Sequence, residues 1–123
     1  MEKLEIMIVD DQPPILTSVS AMLKEKYIVR AFKSGKEALT YLEKNRVDFI
    51  LLDYYMPEMT GFEMLLSIRQ NKALRKTPVA FLTTELSDRM EHEMIQRGAD
   101  DYLCKPVDSA RLLKCIEKHT ATR

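Results

Sequence analysis

Phe49-Ile50-Leu51-Leu52-Asp53-Tyr54-Tyr55-Met56-Pro57 is the stretch that decides the fold. Its four consecutive apolar residues lack the polar alternation of a half-exposed strand, so the segment Asp48 to Leu52 reads as a β-strand covered on both faces. Similar short apolar runs recur at Leu4 to Val9, Tyr27 to Phe32, Val79 to Thr83 and Tyr102 to Lys105. Between them lie stretches whose apolar residues fall at helical spacing: Ile15, Leu16, Val19, Met22 and Leu23; Ala38, Leu39 and Leu42; Leu65 and Ile68; Met90, Met94 and Ile95; Leu112, Leu113 and Ile116. Each set makes one buried stripe. Five strands alternating with five helices predict an α/β fold with a parallel sheet.

The helix ends are written in the side chains. Ser34 with Glu37 and Thr60 with Glu63 have capping-box spacing, Ser87 and Asp108 can cap the last two helices, and Gly98 is placed to end the fourth.

A chain of 123 residues, 46% of them apolar, can bury the core of one domain without disulfides or a structural metal, and no linker divides it. One domain over residues 1–123 is the expectation. Lysine plus arginine equal aspartate plus glutamate at 19 each, which removes the footprint of a protein that binds nucleic acid or an acidic membrane through its overall charge. Cys104 and Cys115 lack the spacing of a zinc or redox motif and read as reduced, packed thiols. No leader pattern opens the sequence and no segment reaches membrane-spanning length, so a cytoplasmic protein is expected, without membrane insertion.

Parallel α/β sheets bind ligands outside the carboxyl ends of their strands. The first strand ends in Asp10 and Asp11, the third in Asp53, the fourth in Thr83 and Thr84, and the fifth in Lys105 before Pro106. Each has an ordinary explanation alone: strand-end aspartates cap helices, threonines favour strands, and lysines before prolines are solvated. Their meeting at one sheet edge is what suggests chemistry. Two carboxylates at ~4 Å repel by about 4 kcal/mol at an effective dielectric near 20, an arrangement that a divalent cation offsets, and an all-oxygen donor set favours magnesium. A carboxylate oxygen of Asp53 can then attack phosphorus, with Lys105 and Thr83 placed to contact the transferring oxygens.

The acidic pair in Ile8-Val9-Asp10-Asp11, the run Leu51 to Pro57 continuing through Met59-Thr60-Gly61, Thr83, and Lys105-Pro106 together resemble the receiver domains of two-component response regulators. The likeness runs from Ile6 to the final helix, and the chain is similar to the stand-alone chemotaxis regulators. It implies a doubly wound, flavodoxin-like fold of five parallel strands ordered 2-1-3-4-5, with five helices. It also implies Asp53 as phosphoacceptor, magnesium held by Asp11, Asp53 and the Tyr55 backbone carbonyl with Asp10 acting through water, and a cis bond before Pro106. Thr83 and Tyr102 would be the switch residues, altering the face made by the fourth helix, fifth strand and fifth helix. The implied partners are a sensor histidine kinase or histidine phosphotransfer protein, a downstream protein target, and a phosphorylation-dependent second copy, rather than nucleic acid. The implied role is a signalling switch, not an enzyme.

Some residues depart from the family pattern. Thr84 stands where a smaller residue is usual, Thr60 where an aspartate is frequent, and Tyr55 where asparagine is frequent. Tyr55 is bulky enough to shield a phosphoryl group from water. A haloacid-dehalogenase-type hydrolase would want a second acid at position 55. A flavin-binding protein would want an amide-lined loop, where this chain has Asp10-Asp11-Gln12-Pro13-Pro14. The remaining alternative is a receiver module cut from a longer DNA-binding regulator or hybrid histidine kinase, with its own output domain.

Overall fold

In the computed structural model, which describes residues 3–121, strands and helices alternate throughout. They are β1 (Glu5–Val9), α1 (Pro13–Leu23), β2 (Ile28–Phe32), α2 (Gly35–Leu42), β3 (Phe49–Asp53), α3 (Gly61–Gln70), β4 (Val79–Thr83), α4 (Asp88–Gln96), β5 (Asp101–Cys104) and α5 (Ser109–Thr120). All five strands are parallel, in the order β2-β1-β3-β4-β5. Each predicted strand is found within one residue of its expected bounds.

Side-chain alternation splits the core into two layers. Met7, Val9, Ile50, Leu52, Val79 and Phe81 face α2, α3 and α4, packing with Ala38, Leu42, Met64, Leu65, Ile68 and Met94. Ile6, Ile8, Phe49, Leu51, Ala80 and Leu82 face α1 and α5, packing with Val19, Leu23, Leu112, Cys115 and Ile116. Every residue of β3 and β4 is buried, as the unbroken apolar run requires. Phe49 and Phe81, wholly buried on opposite faces, contribute on the order of 2–3 kcal/mol each through area removed from water.

Two sequence expectations are corrected here. Ile95 is 49% exposed, because α4 buries only the side carrying Met94. Cys104 is exposed at the end of the edge strand β5, whereas Cys115 is packed; both are free thiols.

The caps follow the side chains. Thr60 and Glu63 form a reciprocal capping box, while Ser34 accepts from the Glu37 amide with its hydroxyl turned to the Glu37 carboxylate, completing only half of one. Gly98, at φ +109°, closes α4: its amide donates to the Ile95 carbonyl and the Ala99 amide to that of Met94. At the amino end of the sheet Arg69 donates to the carbonyls of Gly98, Arg75 and Thr77 and pairs with Asp100 at 3.0 Å, tying α3 to the loops that precede β4 and β5.

Candidate functional site

The strand order reverses between β1 and β3, and there the acidic residues meet. Val9 lies beside Leu52 in the sheet, so Asp10 and Asp53 leave neighbouring strands at the same level. Asp10 is wholly buried and Asp53 is 3% exposed. The Gln12 amide donates to Asp10 Oδ1 at 2.9 Å, fixing that carboxylate at the turn into α1. Lys105 Nζ approaches from beyond β5, donating to Asp53 Oδ1 at 3.3 Å and Gln12 Oε1 at 3.1 Å. It also lies 3.0 Å from Asp10 Oδ2. That last contact is Coulombic only: no donor is aligned on Asp10 Oδ2, leaving it a buried oxygen without a hydrogen bond.

One amine faces several carboxylates, and the titration of the group shows the imbalance. Burial, and then the charge of Asp10, raise the Asp53 pKa to about 7 despite Lys105. Burial works against the charge on Lys105, but its contacts with Asp10 and Asp53 outweigh that and raise its pKa. A carboxyl pKa raised on folding means that the folded chain holds a proton the unfolded chain has lost, so stability falls as pH rises from about 4 to about 7. In the presence of a chelator, Asp53→Asn removes this penalty. The variant is therefore expected to be more stable than wild type by on the order of 2 kcal/mol at pH 8, with the gain shrinking towards pH 4. Urea melts at the two pH values check this; a variant no more stable at pH 8 contradicts it.

The donor set suits a hard divalent cation. Carboxylate oxygens of Asp10, Asp11 and Asp53 lie within 4.8 Å of one another, Asp11 being the most exposed of the three, and Asp10 Oδ2 lacks the hydrogen bond that a buried carboxylate ordinarily finds. A cleft of about 180 Å³ opens onto this cluster, lined by Asp11, Gln12, Asp53, Tyr55, Thr84 and Lys105.

The loop after β3 is held close to the site. The Gly61 amide donates to the Tyr54 carbonyl, and a side chain at Gly61 would lie 2.6 Å from the Asp53 carbonyl oxygen and 2.7 Å from the Phe81 ring. Only glycine lets α3 start there. Tyr54 packs edge-on against Tyr55, Phe62 and Phe81, and the Arg97 guanidinium sits 4.4 Å above Phe62, so the loop beside Asp53 is continuous with α3 and the end of α4.

The other sequence candidates occupy distinct places. The buried Thr83 hydroxyl donates to the Glu85 carbonyl at 2.9 Å and accepts from the Glu85 amide, so it is engaged in its own turn. Thr84, not Thr83, lines the cleft. Tyr55 is 58% exposed at the mouth, and its amide donates to Asp53 Oδ1 at 3.4 Å. Tyr102 is half-buried, its hydroxyl beside the Glu91 carboxylate of α4, which raises its pKa. The Lys105–Pro106 bond is cis. Gln12 is the site residue that sequence reasoning missed; its place directly after the acidic pair is the signal that could have found it.

Comparison with known proteins places this geometry. Residues 6–117 match the model of the response regulator receiver domain family. The chain belongs to that family. The receiver domain is 38% identical over 114 residues to a probable cyclic di-GMP phosphodiesterase of Vibrio cholerae, covering 93% of this chain and 26% of that protein. It resembles the crystal structure of the chemotaxis response regulator CheY4 of Vibrio cholerae, with a TM-score of 0.90, 35% identity, and coverage of 96% and 99% of the two chains. It also resembles the receiver domain of the sensor histidine kinase PA1611 of Pseudomonas aeruginosa, a structure with a magnesium ion coordinated in the active-site cleft; the TM-score is 0.89 at 30% identity, covering 98% and 99%. The chain spans 26% and 55% of the lengths of two curated relatives. It is a receiver domain of the two-component response regulator type, similar to the chemotaxis regulators in fold. Among the described residues no helix is long and apolar enough to cross a membrane.

Proposed function

We propose that the domain is a phosphoacceptor switch. Asp53 takes a phosphoryl group from the phosphohistidine of a sensor kinase or histidine phosphotransfer protein, and the phosphorylated form presents an altered α4-β5-α5 face to a protein partner. The observation that carries this reading is Asp53 itself: a buried carboxylate at the strand-order reversal, held by Lys105, beside an unsatisfied Asp10 oxygen, and open to solvent through a cleft.

Asp11, Asp53 and the backbone carbonyl of Tyr55 would hold magnesium, with Asp10 acting through water. When bound, magnesium supplies positive charge that favours ionised Asp53 and offsets the transferring oxygens. A carboxylate oxygen of Asp53 attacks phosphorus; the new P–O bond forms as the P–N bond breaks, and its electron pair leaves with the donor imidazole. Lys105 Nζ, desolvated and already paired with Asp53, shifts onto the phosphoryl oxygens without a large reorganisation. The Thr83 hydroxyl exchanges its bond to the Glu85 carbonyl for one to a phosphoryl oxygen, which loosens the start of the β4-α4 loop. Tyr102 then leaves the Glu91 carboxylate and turns inward. This is a population shift between two packings, biased by charge-assisted hydrogen bonds.

Amide resonances test the switch. Acetyl phosphate with magnesium is expected to move the signals of Thr83, Tyr102 and α4 as well as those lining the cleft. Shifts confined to the cleft would contradict the proposal.

Tyr55 sets the lifetime of the phosphorylated state in this reading, because it lines the cleft that opens onto Asp53 and is bulky enough to hinder water there. Tyr55→Asn is expected to lose phosphate several-fold faster, a change of on the order of 1 kcal/mol in the barrier. Decay of the phosphorylated mass after removal of the donor measures it; an unchanged rate removes Tyr55 from the account.

The coverage of a multidomain relative favours a second reading for the output: residues 1–123 as one receiver unit regulating another domain of a longer regulator or hybrid kinase. The chemistry at Asp53 is the same in both.

A further inference from the structure

Away from the acidic cleft, at the opposite end of the sheet, three side chains of different chemistry converge. Asp101 opens β5, while Cys115 and His119 are four residues apart on α5 and so share one face of that helix. His119 Nε2 lies 2.9 Å from Asp101 Oδ2 and Cys115 Sγ donates to the same oxygen at 3.5 Å. All three potential ligand atoms lie within 4.8 Å of one another.

These separations can be compared with what a metal would impose. Tetrahedral zinc, with bonds of about 2.0 Å to oxygen and nitrogen and about 2.3 Å to sulfur, spaces its oxygen and nitrogen ligands by about 3.3 Å and its oxygen and sulfur ligands by about 3.5 Å. The sulfur distance already matches, and the histidine pair needs to open by only a few tenths of an ångström. The Tyr102 amide donates to Asp101 Oδ1 at 2.9 Å, an outer contact of the kind that orients metal-binding carboxylates. A cleft of about 200 Å³ bordered by Asp101, Arg111, Lys114, Cys115 and Lys118 gives an ion access to the Asp101 and Cys115 side of the cluster.

The geometry points to a zinc-class transition-metal site formed by Asp101, Cys115 and His119, clamping the start of β5 to the end of α5 beside Tyr102. Binding releases the Cys115 thiol proton to solvent, and thiolate plus carboxylate then neutralise the dication. Arg111, Lys114 and Lys118 disfavour hard cations held by charge alone, so the selectivity comes from thiolate and imidazole, which suit zinc and cobalt over magnesium.

Cobalt(II) is the probe, added to the full chain in a Cys104→Ser background with excess magnesium to fill the carboxylate cleft. A thiolate-to-cobalt charge-transfer band is expected, saturating near one equivalent and abolished by zinc. Cys115→Ser should eliminate the band, and His119→Gln should weaken cobalt binding by on the order of a hundredfold. Zinc should raise the melting temperature of the Cys104→Ser parent and not that of either further variant. Absence of the band, or a band and binding curve unchanged in His119→Gln, would overturn the site and leave an ion pair with a hydrogen-bonded thiol.

Discussion

Lys105→Ala is expected to slow phosphoryl acceptance from acetyl phosphate by 10- to 100-fold, without unfolding the domain. Lys105 Nζ is the cation within 4 Å of both Asp10 and Asp53, and its side chain is 9% exposed, so solvent cannot replace it at full strength. Removing one preorganised donor from a transition state that gathers charge on oxygen costs about 3–4 kcal/mol where water is excluded; the open cleft lowers this to about 1.4–2.7 kcal/mol here. The same substitution leaves the Asp10 and Asp53 charges opposed only by bound magnesium, so the pKa of Asp53 in metal-free protein should rise further. Lys105→Arg keeps the charge, but its planar fork cannot meet Asp10 Oδ2, Asp53 Oδ1 and Gln12 Oε1 from one nitrogen, and an intermediate rate is expected. The time course of phosphoryl mass gain distinguishes these variants. A Lys105→Ala rate within twofold of wild type would mean that the amine serves only to neutralise the resting site.

The same residues explain what could be read from sequence. Phe49 to Leu52 forced a doubly covered strand, and with its four companions the five-strand parallel architecture followed; the structure moves no strand boundary by more than one residue. Asp10, Asp53 and Lys105 were legible because strand ends, unlike helix faces, converge at one edge regardless of side-chain detail. Orientation was not legible. Whether the Thr83 hydroxyl faces the cleft or its own turn depends on one rotamer and the Glu85 carbonyl, a local bond with no periodic signature. Ile95 and Cys104 were misplaced because apolar spacing tells which helix face tends inward, but not how far α4 lies over the sheet or that β5 is an edge strand. The Asp101, Cys115 and His119 cluster joins a strand start to a helix end 14 to 18 residues later and has no compact motif.

The second large effect concerns Asp53. An amide in its place preserves the size of the side chain and can still contact Lys105, but it carries no anionic oxygen to form an acyl phosphate. Loss of phosphorylation at this position should therefore be complete, even though the folded variant gains stability at pH 8. The decisive measurement is the intact mass of wild type and Asp53→Asn after incubation with acetyl phosphate and magnesium. The account predicts one added phosphoryl group on wild type, lost on chelation before donor addition, and none on the variant. No mass gain on wild type with magnesium present, or equal gain on both proteins, would contradict it.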